Sequence, residues 1–180
     1  SLILRPFFKK QAALAAYITI GCIGAAFVLS LWTLATVFVS PVHKLEVPKI
    51  DWMVVENGVS IHVGLLIDSL SAVMLVVVTL VSMLVQIYSQ GYMHGDAGYQ
   101  RYFAWMSLFT ASMLGLVMAD NLLFTYVFWE GVGLCSYLLI GFWFHRPSAA
   151  NAAKKAFIVT RIGDVGFLLA ILYLYMNAGT

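Results

Sequence analysis

The chain has 180 residues, of which 62% are hydrophobic and 10% are charged, and its formal net charge is +2. Soluble globular domains carry about 25% charged residues, so this composition excludes an ordinary water-soluble fold and indicates a chain that lies in lipid. The 10 Lys and Arg residues form no cluster of the kind that binds nucleic acid, and we expect no nucleic-acid partner.

Five apolar runs approach the ~20 residues that a helix needs to cross a hydrocarbon core of ~30 Å. They cover residues 12–39, 69–90, 102–119, 121–144 and 151–177. In lipid the backbone polar groups must be paired within helices or closed barrels, and these continuous runs lack the alternation of barrel strands. The sequence therefore predicts an all-α integral membrane protein with about five transmembrane helices, in one membrane domain over residues 1–180.

The longest connection, residues 41–68, contains a hairpin signal. Two β-prone stretches flank Asn57-Gly58, and both of these residues tolerate positive φ. The pattern predicts a short β-hairpin outside the membrane.

The connection between the third and fourth runs, around Asp120 and Asn121, is very short and predicts antiparallel neighbouring helices. Ala111, Gly115 and Ala119 recur at four-residue spacing in the third run. Small residues at this spacing let two helices approach closely.

The basic residues indicate an orientation, because Lys and Arg are enriched in cytoplasmic connections. If the five runs alternate in direction, only Lys44 and Lys49 lie on one side. The other side holds Arg5, Lys9, Lys10, Arg101, Arg146, Lys154 and Lys155. The start of this chain therefore lies on the cytoplasmic side, or on the matrix side in a mitochondrion. We expect a multi-pass protein of a bacterial plasma membrane rather than of a mitochondrial inner membrane.

Three ionisable residues, Glu130, Arg161 and Asp164, lie deep inside apolar runs. An ionised side chain at the bilayer centre costs roughly 2.5–3.5 kcal/mol on insertion scales, so each needs a physical reason. Arg161 and Asp164 are three residues apart and can pair on one helix face. For this pair a structural role and a role in proton transfer stay equally open. Glu130 has no partner within its own run, and we favour a proton-carrying role for it.

The sequence shows no nucleophile motif, no phosphate-binding loop and no metal-ligand spacing. We expect no catalytic activity from this chain alone, and no cofactor or metal bound to it. The aromatic residues Trp105, Trp129, Trp143 and Tyr102 include several near the ends of the runs, as an interfacial belt would have.

Two stretches carry a resemblance to a known family. Residues 128–143, Phe-Trp-Glu-Gly-Val-Gly-Leu-Cys-Ser-Tyr-Leu-Leu-Ile-Gly-Phe-Trp, and residues 155–164, Lys-Ala-Phe-Ile-Val-Thr-Arg-Ile-Gly-Asp, resemble the subunit L family of NADH-quinone oxidoreductases. These antiporter-like subunits are called chain 5 in mitochondrial complex I. Residues 65–74 and 118–123 look similar too, and the resemblance covers most of residues 45–175.

The resemblance implies a proton-translocating, non-redox subunit in the membrane arm of complex I, with the other membrane-arm subunits and the lipid bilayer as partners. Electron transfer in partner subunits, which would hold NADH, flavin, iron–sulfur clusters and quinone, would drive the proton movement. Glu130, Arg161, Asp164 and Lys155 occupy the positions of the family's intramembrane glutamate, its charged pair and a lysine at the start of the following span.

The resemblance also implies that the chain is a fragment from the N-terminal region, and that a lysine beyond Thr180 pairs with the glutamate. The chain begins with Ser1 and ends directly after an apolar run, which agrees with this expectation.

Three alternatives stay open. The large subunit of a multisubunit Na+/H+ antiporter shares the fold, although the sequence of residues 131–137 is more similar to the respiratory subunit. A plastid-type or cyanobacterial dehydrogenase is a variant of the first hypothesis. A structural membrane anchor, in which the buried charges only hold helices together, belongs to a different class.

Overall fold

The computed structural model describes residues 12–41, 44–46, 50–55 and 59–178. It contains five helices and four short strands. The helices are α1 (Ala12–Val39), α2 (Ser69–Tyr92), α3 (Tyr99–Met118), α4 (Leu122–Ile140) and α5 (Pro147–Ala178). The strands are β1 (Lys44–Glu46), β2 (Ile50–Val55), β3 (Val59–Val63) and β4 (Leu66–Asp68). The predicted all-α membrane fold with a short β-hairpin is confirmed.

Four of these helices are long and apolar enough to cross a membrane, within the described part of the chain. They correspond to Leu14–Val39, Ser69–Tyr92, Leu122–Ile140 and Pro147–Asn177. Helix α3 does not meet the same threshold, although its 20 residues would reach ~30 Å. It carries Gln100 and Arg101 in its first turn and buries hydroxyl side chains further along, which lowers its hydropathy.

The ends of α4 and α5 differ from those of the fourth and fifth apolar runs in the sequence. Helix α4 ends at Ile140, and Gly141 caps it with its N–H on backbone carbonyls of the last turn. Residues 141–145 form turns, and Pro147 begins α5 four residues before the apolar run that starts at residue 151. Proline suits the first turn of a helix because no intrahelical acceptor exists there for the missing N–H.

The connection between α1 and α2 forms two nested strand pairs. β2 pairs antiparallel with β3, from Ile50 opposite Val63 to Val55 opposite Val59. This is the predicted hairpin, while Asn57 and Gly58 lie outside the described residues. β1 pairs antiparallel with β4, and that pairing was not predicted because each strand has only three residues.

The strand pairs are tied to the helix ends by polar contacts. Gly64 donates its N–H to Asp120 Oδ1 at 3.2 Å, and Asn121 Nδ2 donates to the His62 carbonyl at 2.9 Å. The Asn121 side chain also accepts from the Phe124 N–H at 2.8 Å and so caps α4. Asp68 caps α2 in the same way, through the Ser71 N–H at 2.7 Å. The amino ends of α2 and α4 therefore lie together against the strands.

Helices that follow one another in the chain pack against one another, and α1 also contacts α3. Gly115, the middle member of the small-residue stripe, lies against α4, where a Cβ would overlap the Phe128 ring. At the other end of the bundle a buried cluster joins α1, α3 and the turns that follow α2 and α4. It consists of Ala16, Met93, Tyr99, Phe103 and Phe142. The order of packing places α4 and α5 side by side, and these two helices carry the candidate site.

Candidate functional site

The three intramembrane charges meet between α4 and α5. Arg161 on α5 forms an ion pair with Glu130 on α4, and its Nη1 lies 3.5 Å from Asp164 Oδ2 on its own helix. The three-residue spacing puts Arg161 and Asp164 on one face of α5, as predicted. One guanidinium group is therefore shared by two carboxylates, which leaves the group with one more carboxylate than cation when all three are ionised.

Asp164 is the most buried member, at 6% residue exposure. Its second oxygen, Oδ1, accepts a hydrogen bond from the indole N–H of Trp129 at 2.9 Å. Each oxygen of this carboxylate thus has its own donor, one from α4 and one from α5. Such bonds to an ionised acceptor are stronger than neutral ones and fix its orientation.

Trp129 is the residue of the site that sequence reasoning missed. It lies near the middle of α4, directly before Glu130. A tryptophan inside an apolar helix needs an acceptor for its indole N–H, and this requirement was the available signal. The acceptor, Asp164, is 35 positions further along the chain, so the sequence did not identify it.

Aromatic rings surround the charged group along both helices. The Arg161 guanidinium lies 4.6 Å from the centre of the Phe157 ring, and Phe157 in turn contacts Tyr137. On the other side Phe167 contacts the rings of Tyr126 and Trp129. A guanidinium is weakly hydrated and stacks well on such rings, so these residues limit water around the charges while keeping Arg161 in place.

The three charged side chains are exposed to different extents. Asp164 is held at the interface with 9% of its side chain exposed, whereas Glu130 keeps 22% and Arg161 keeps 33%. The ion pair between Glu130 and Arg161 thus has an open side, and the exposed Ile158, Ile162 and Val165 of α5 lie around it. Within the described residues, Glu130 and Arg161 are thus the members of the group that another side chain can reach most easily.

Lys155, the fourth predicted site residue, is exposed and lies about 9 Å along the axis of α5 from Arg161. Among the described residues, no ion pair joins it to Glu130, Arg161 or Asp164. The structure therefore brings three of the four predicted residues together and leaves Lys155 nearer the start of α5.

Histidine, cysteine and carboxylate side chains do not form a group of three or more that could hold a metal ion within the described ranges. The site presents one arginine held between two carboxylates in apolar surroundings. Long apolar helices around such a group define an integral membrane protein.

Two family models match the chain and together cover more than half of it. One is described as NADH-Ubiquinone oxidoreductase (complex I), chain 5 N-terminus, and matches residues 52–103. The other is described as NADH:quinone oxidoreductase/Mrp antiporter, TM, and matches residues 119–180, which include the whole charged group. The chain belongs to this family of antiporter-like membrane subunits, and the resemblance seen in the sequence is confirmed.

Several curated relatives are named NAD(P)H-quinone oxidoreductase subunit 5, chloroplastic. The chain is 50% identical to the protein of Zygnema circumcarinatum over 172 residues, which are 96% of this chain and 24% of the relative. It is 59% identical to the protein of Anthoceros angustus over 131 residues, which are 72% of this chain and 18% of the relative. The chain spans about a quarter or less of these relatives.

Two solved membrane complexes contain a similar fold. The Mrp complex from a Dietzia species matches with a TM-score of 0.69 and 27% identity, over 94% of this chain and 20% of that chain. An archaeal membrane-bound sulfane sulfur reductase matches with a TM-score of 0.78 and 18% identity, over 99% of this chain and 34% of that chain. The second likeness concerns the fold alone.

Proposed function

We propose that this chain forms part of a proton-translocating membrane subunit of a respiratory NADH:quinone oxidoreductase. The observation that carries the proposal is the sharing of Arg161 between Glu130 and Asp164. The family models and the names of the curated relatives support the same assignment.

The proposed proton carrier is Glu130. A carboxylate in apolar surroundings takes up a proton when its cation moves away and releases it when the cation returns. Arg161 is already within reach of a second carboxylate, so a shift toward Asp164 would free Glu130 without leaving the guanidinium unpaired. Asp164 is fixed by Trp129 and is the stationary partner in this exchange.

In this proposal the chain takes no part in electron transfer. NADH, flavin, iron–sulfur clusters and quinone would be held by partner subunits, and the membrane arm of the complex would surround α4 and α5. The open side of the Glu130–Arg161 pair supports contact with further protein, because hydrocarbon against an ionised pair is costly. Lys155 is included as a basic residue at the start of α5, supported by the sequence resemblance.

A second candidate is the large subunit of a multisubunit Na+/H+ antiporter. The likeness to the Mrp complex supports it, but the identity is 27%, against 50% or more for several relatives named as quinone oxidoreductase subunits. The two candidates differ in an observable way. Electron transfer from NADH to quinone should drive proton movement in the first, and an imposed sodium gradient should drive it in the second.

We further propose that all five helices cross the membrane, with Arg101, Arg146, Lys154 and Lys155 on the cytoplasmic face of a bacterial plasma membrane. The excess of basic residues at this end supports the orientation. Single cysteines introduced at Lys154 and at Lys44 test it. A membrane-impermeant thiol reagent applied to inverted vesicles should label the first position and spare the second, and the opposite pattern would reverse the orientation.

The deciding experiment uses Glu130→Gln in the full-length subunit within its complex. Inverted membrane vesicles are supplied with NADH, and proton pumping, NADH oxidation and assembly are measured together. We expect normal assembly with fewer protons pumped per electron. Asp68→Asn is the matched control, because asparagine caps helices as well as aspartate does and the residue lies outside the charged group.

Two results would contradict the proposal. Normal pumping by the Glu130→Gln variant would show that the residue only holds helices together. Lost assembly, with the control intact, would support the structural-anchor hypothesis.

A further inference from the structure

Helix α2 buries a row of polar side chains far from the charged group. Thr79, Ser82, Gln86 and Ser89 all lie on the face that packs against α1 and α3. We call these four residues the polar seam. From Thr79 to Ser89 the seam runs about 15 Å along the helix axis, roughly half of a hydrocarbon core.

Three members of the seam have partners on neighbouring helices. The Thr79 hydroxyl lies 3.0 Å from that of Ser30 on α1. The Ser82 hydroxyl is hydrogen-bonded to that of Thr110 on α3, and the Ser89 hydroxyl lies 3.0 Å from the Tyr102 phenol oxygen. These pairs explain why hydroxyl groups are tolerated between membrane helices.

Gln86 is different. Its side chain is 0% exposed, and neither Oε1 nor Nε2 has a hydrogen-bond partner within the described ranges of the chain. It lies one helical turn from Ser82 and one from Ser89, so its amide is between two satisfied hydroxyl pairs. A buried amide without partners keeps the full cost of removing its polar groups from water. A native fold rarely tolerates that cost twice in one side chain.

The seam is closed by apolar residues at both ends. Beyond Ser89 lies the buried cluster that contains Met93 and Phe103, and beyond Thr79 the same face of α2 continues with Leu75 and Ala72, both buried. Neither lipid nor bulk water reaches Gln86 in this arrangement. Any group that satisfies the amide must be small enough to be enclosed.

We propose that Gln86 binds an enclosed water molecule that links its amide to the hydroxyl pairs on either side. Water fits because an amide offers both a donor and an acceptor, and the neighbouring hydroxyl oxygens have further acceptor capacity. A metal cation does not fit, because the seam holds only neutral groups. The bound water would join Ser82, Gln86 and Ser89 into one hydrogen-bonded network between α2 and α3.

The test is a structure of the complete complex, containing the full-length subunit, at a resolution that shows ordered water. Density for a water within ~2.7–3.2 Å of Gln86 Oε1 or Nε2 is the expected result. Empty space beside the amide would overturn the proposal, as would a direct hydrogen bond from the amide to a protein group.

A variant gives an independent readout. If Gln86 holds a bridging water, Gln86→Leu removes the bridge, and the thermal midpoint of the purified complex should fall. If the amide is merely unsatisfied, the same change removes an unpaired polar group and the midpoint should rise, which would contradict the proposal. Gln90→Leu on the same helix is the matched control, because Gln90 is only half-buried and outside the seam. Its midpoint should change less.

Discussion

Trp129 on α4 donates its indole N–H to Asp164 on α5 at 2.9 Å, directly beside the residue that we propose as the proton carrier. The bond joins two helices that also share the Glu130–Arg161 ion pair. It holds the carboxylate that would receive Arg161 when the guanidinium leaves Glu130. Asp164 therefore has a donor on α4 in addition to Arg161 on its own helix.

Replacing Trp129 by Phe tests this anchoring role. The change keeps an aromatic ring but leaves Asp164 Oδ1 without its donor, and a buried acceptor left unpaired costs about 1–3 kcal/mol. We expect a lower thermal midpoint of the purified complex, together with reduced pumping per electron. Trp32→Phe is the control, because Trp32 on α1 is 67% exposed and should have little effect. Equal midpoints for the two variants would contradict the anchoring role.

Lys155→Met tests the fourth predicted site residue, and the same change at the adjacent Lys154 is its control. If Lys155 supplies protons to the charged group, the variant should pump fewer protons per electron while NADH oxidation continues. Lys154→Met removes an adjacent exposed lysine and should leave pumping unchanged. Equal pumping by both variants would remove Lys155 from the proposed path.

Gly115→Ala probes the contact between α3 and α4. A methyl group at this position would overlap the Phe128 ring, and overpacking of this kind costs typically 1–3 kcal/mol, so the midpoint should fall. Adding Phe128→Leu to this variant should restore part of the lost thermal midpoint. The matched control is Gly133→Ala on α4, where no described atom lies within 4 Å of the new methyl group. That variant should be as stable as the parent or slightly more so, because alanine favours helix.

A pH dependence follows from Asp96 in the connection between α2 and α3. The Trp143 indole N–H and the Gly98 backbone N–H both donate to this carboxylate and hold its pKa below the ordinary value of 3.8. The folded pKa is thus lower than the unfolded one. The stabilisation is present in full above the ordinary pKa and is lost as the pH falls through the folded value.

Trp143→Phe removes the larger of the two causes. The variant should have a lower midpoint than the parent near neutral pH, and the two curves of midpoint against pH should converge as Asp96 becomes protonated. Curves that stay parallel down to pH ~3 would show that Trp143 acts without Asp96.

The helical membrane fold could be predicted because long charge-free runs admit few other structures in lipid. Asn57-Gly58 predicted the β2–β3 pairing for an equally local reason. The pairing of Arg161 with Asp164 followed from their spacing on one helix.

The contacts between helices could not be predicted in the same way. Helix α4 is apolar on nearly all sides, so its sequence does not show which face meets α5. The ion pair between Glu130 and Arg161 and the bond between Trp129 and Asp164 both depend on that rotation. The enclosed amide of Gln86 depends on the packing of three helices at once, and a single glutamine in an apolar run carries no sign of it.

The ties from the strands to Asp120 and Asn121 have a mechanical consequence. They fasten the turn between α3 and α4 to the segment that leads into α2, and Leu65 adds a backbone bridge to Ala119. The helix ends on this side of the membrane are therefore clamped by hydrogen bonds, and the opposite ends of α2, α3 and α4 are held by the buried cluster around Phe103 and Phe142. Movement of α5 against α4 would therefore disturb fewer of these ties than tilting of α4 against α2 and α3.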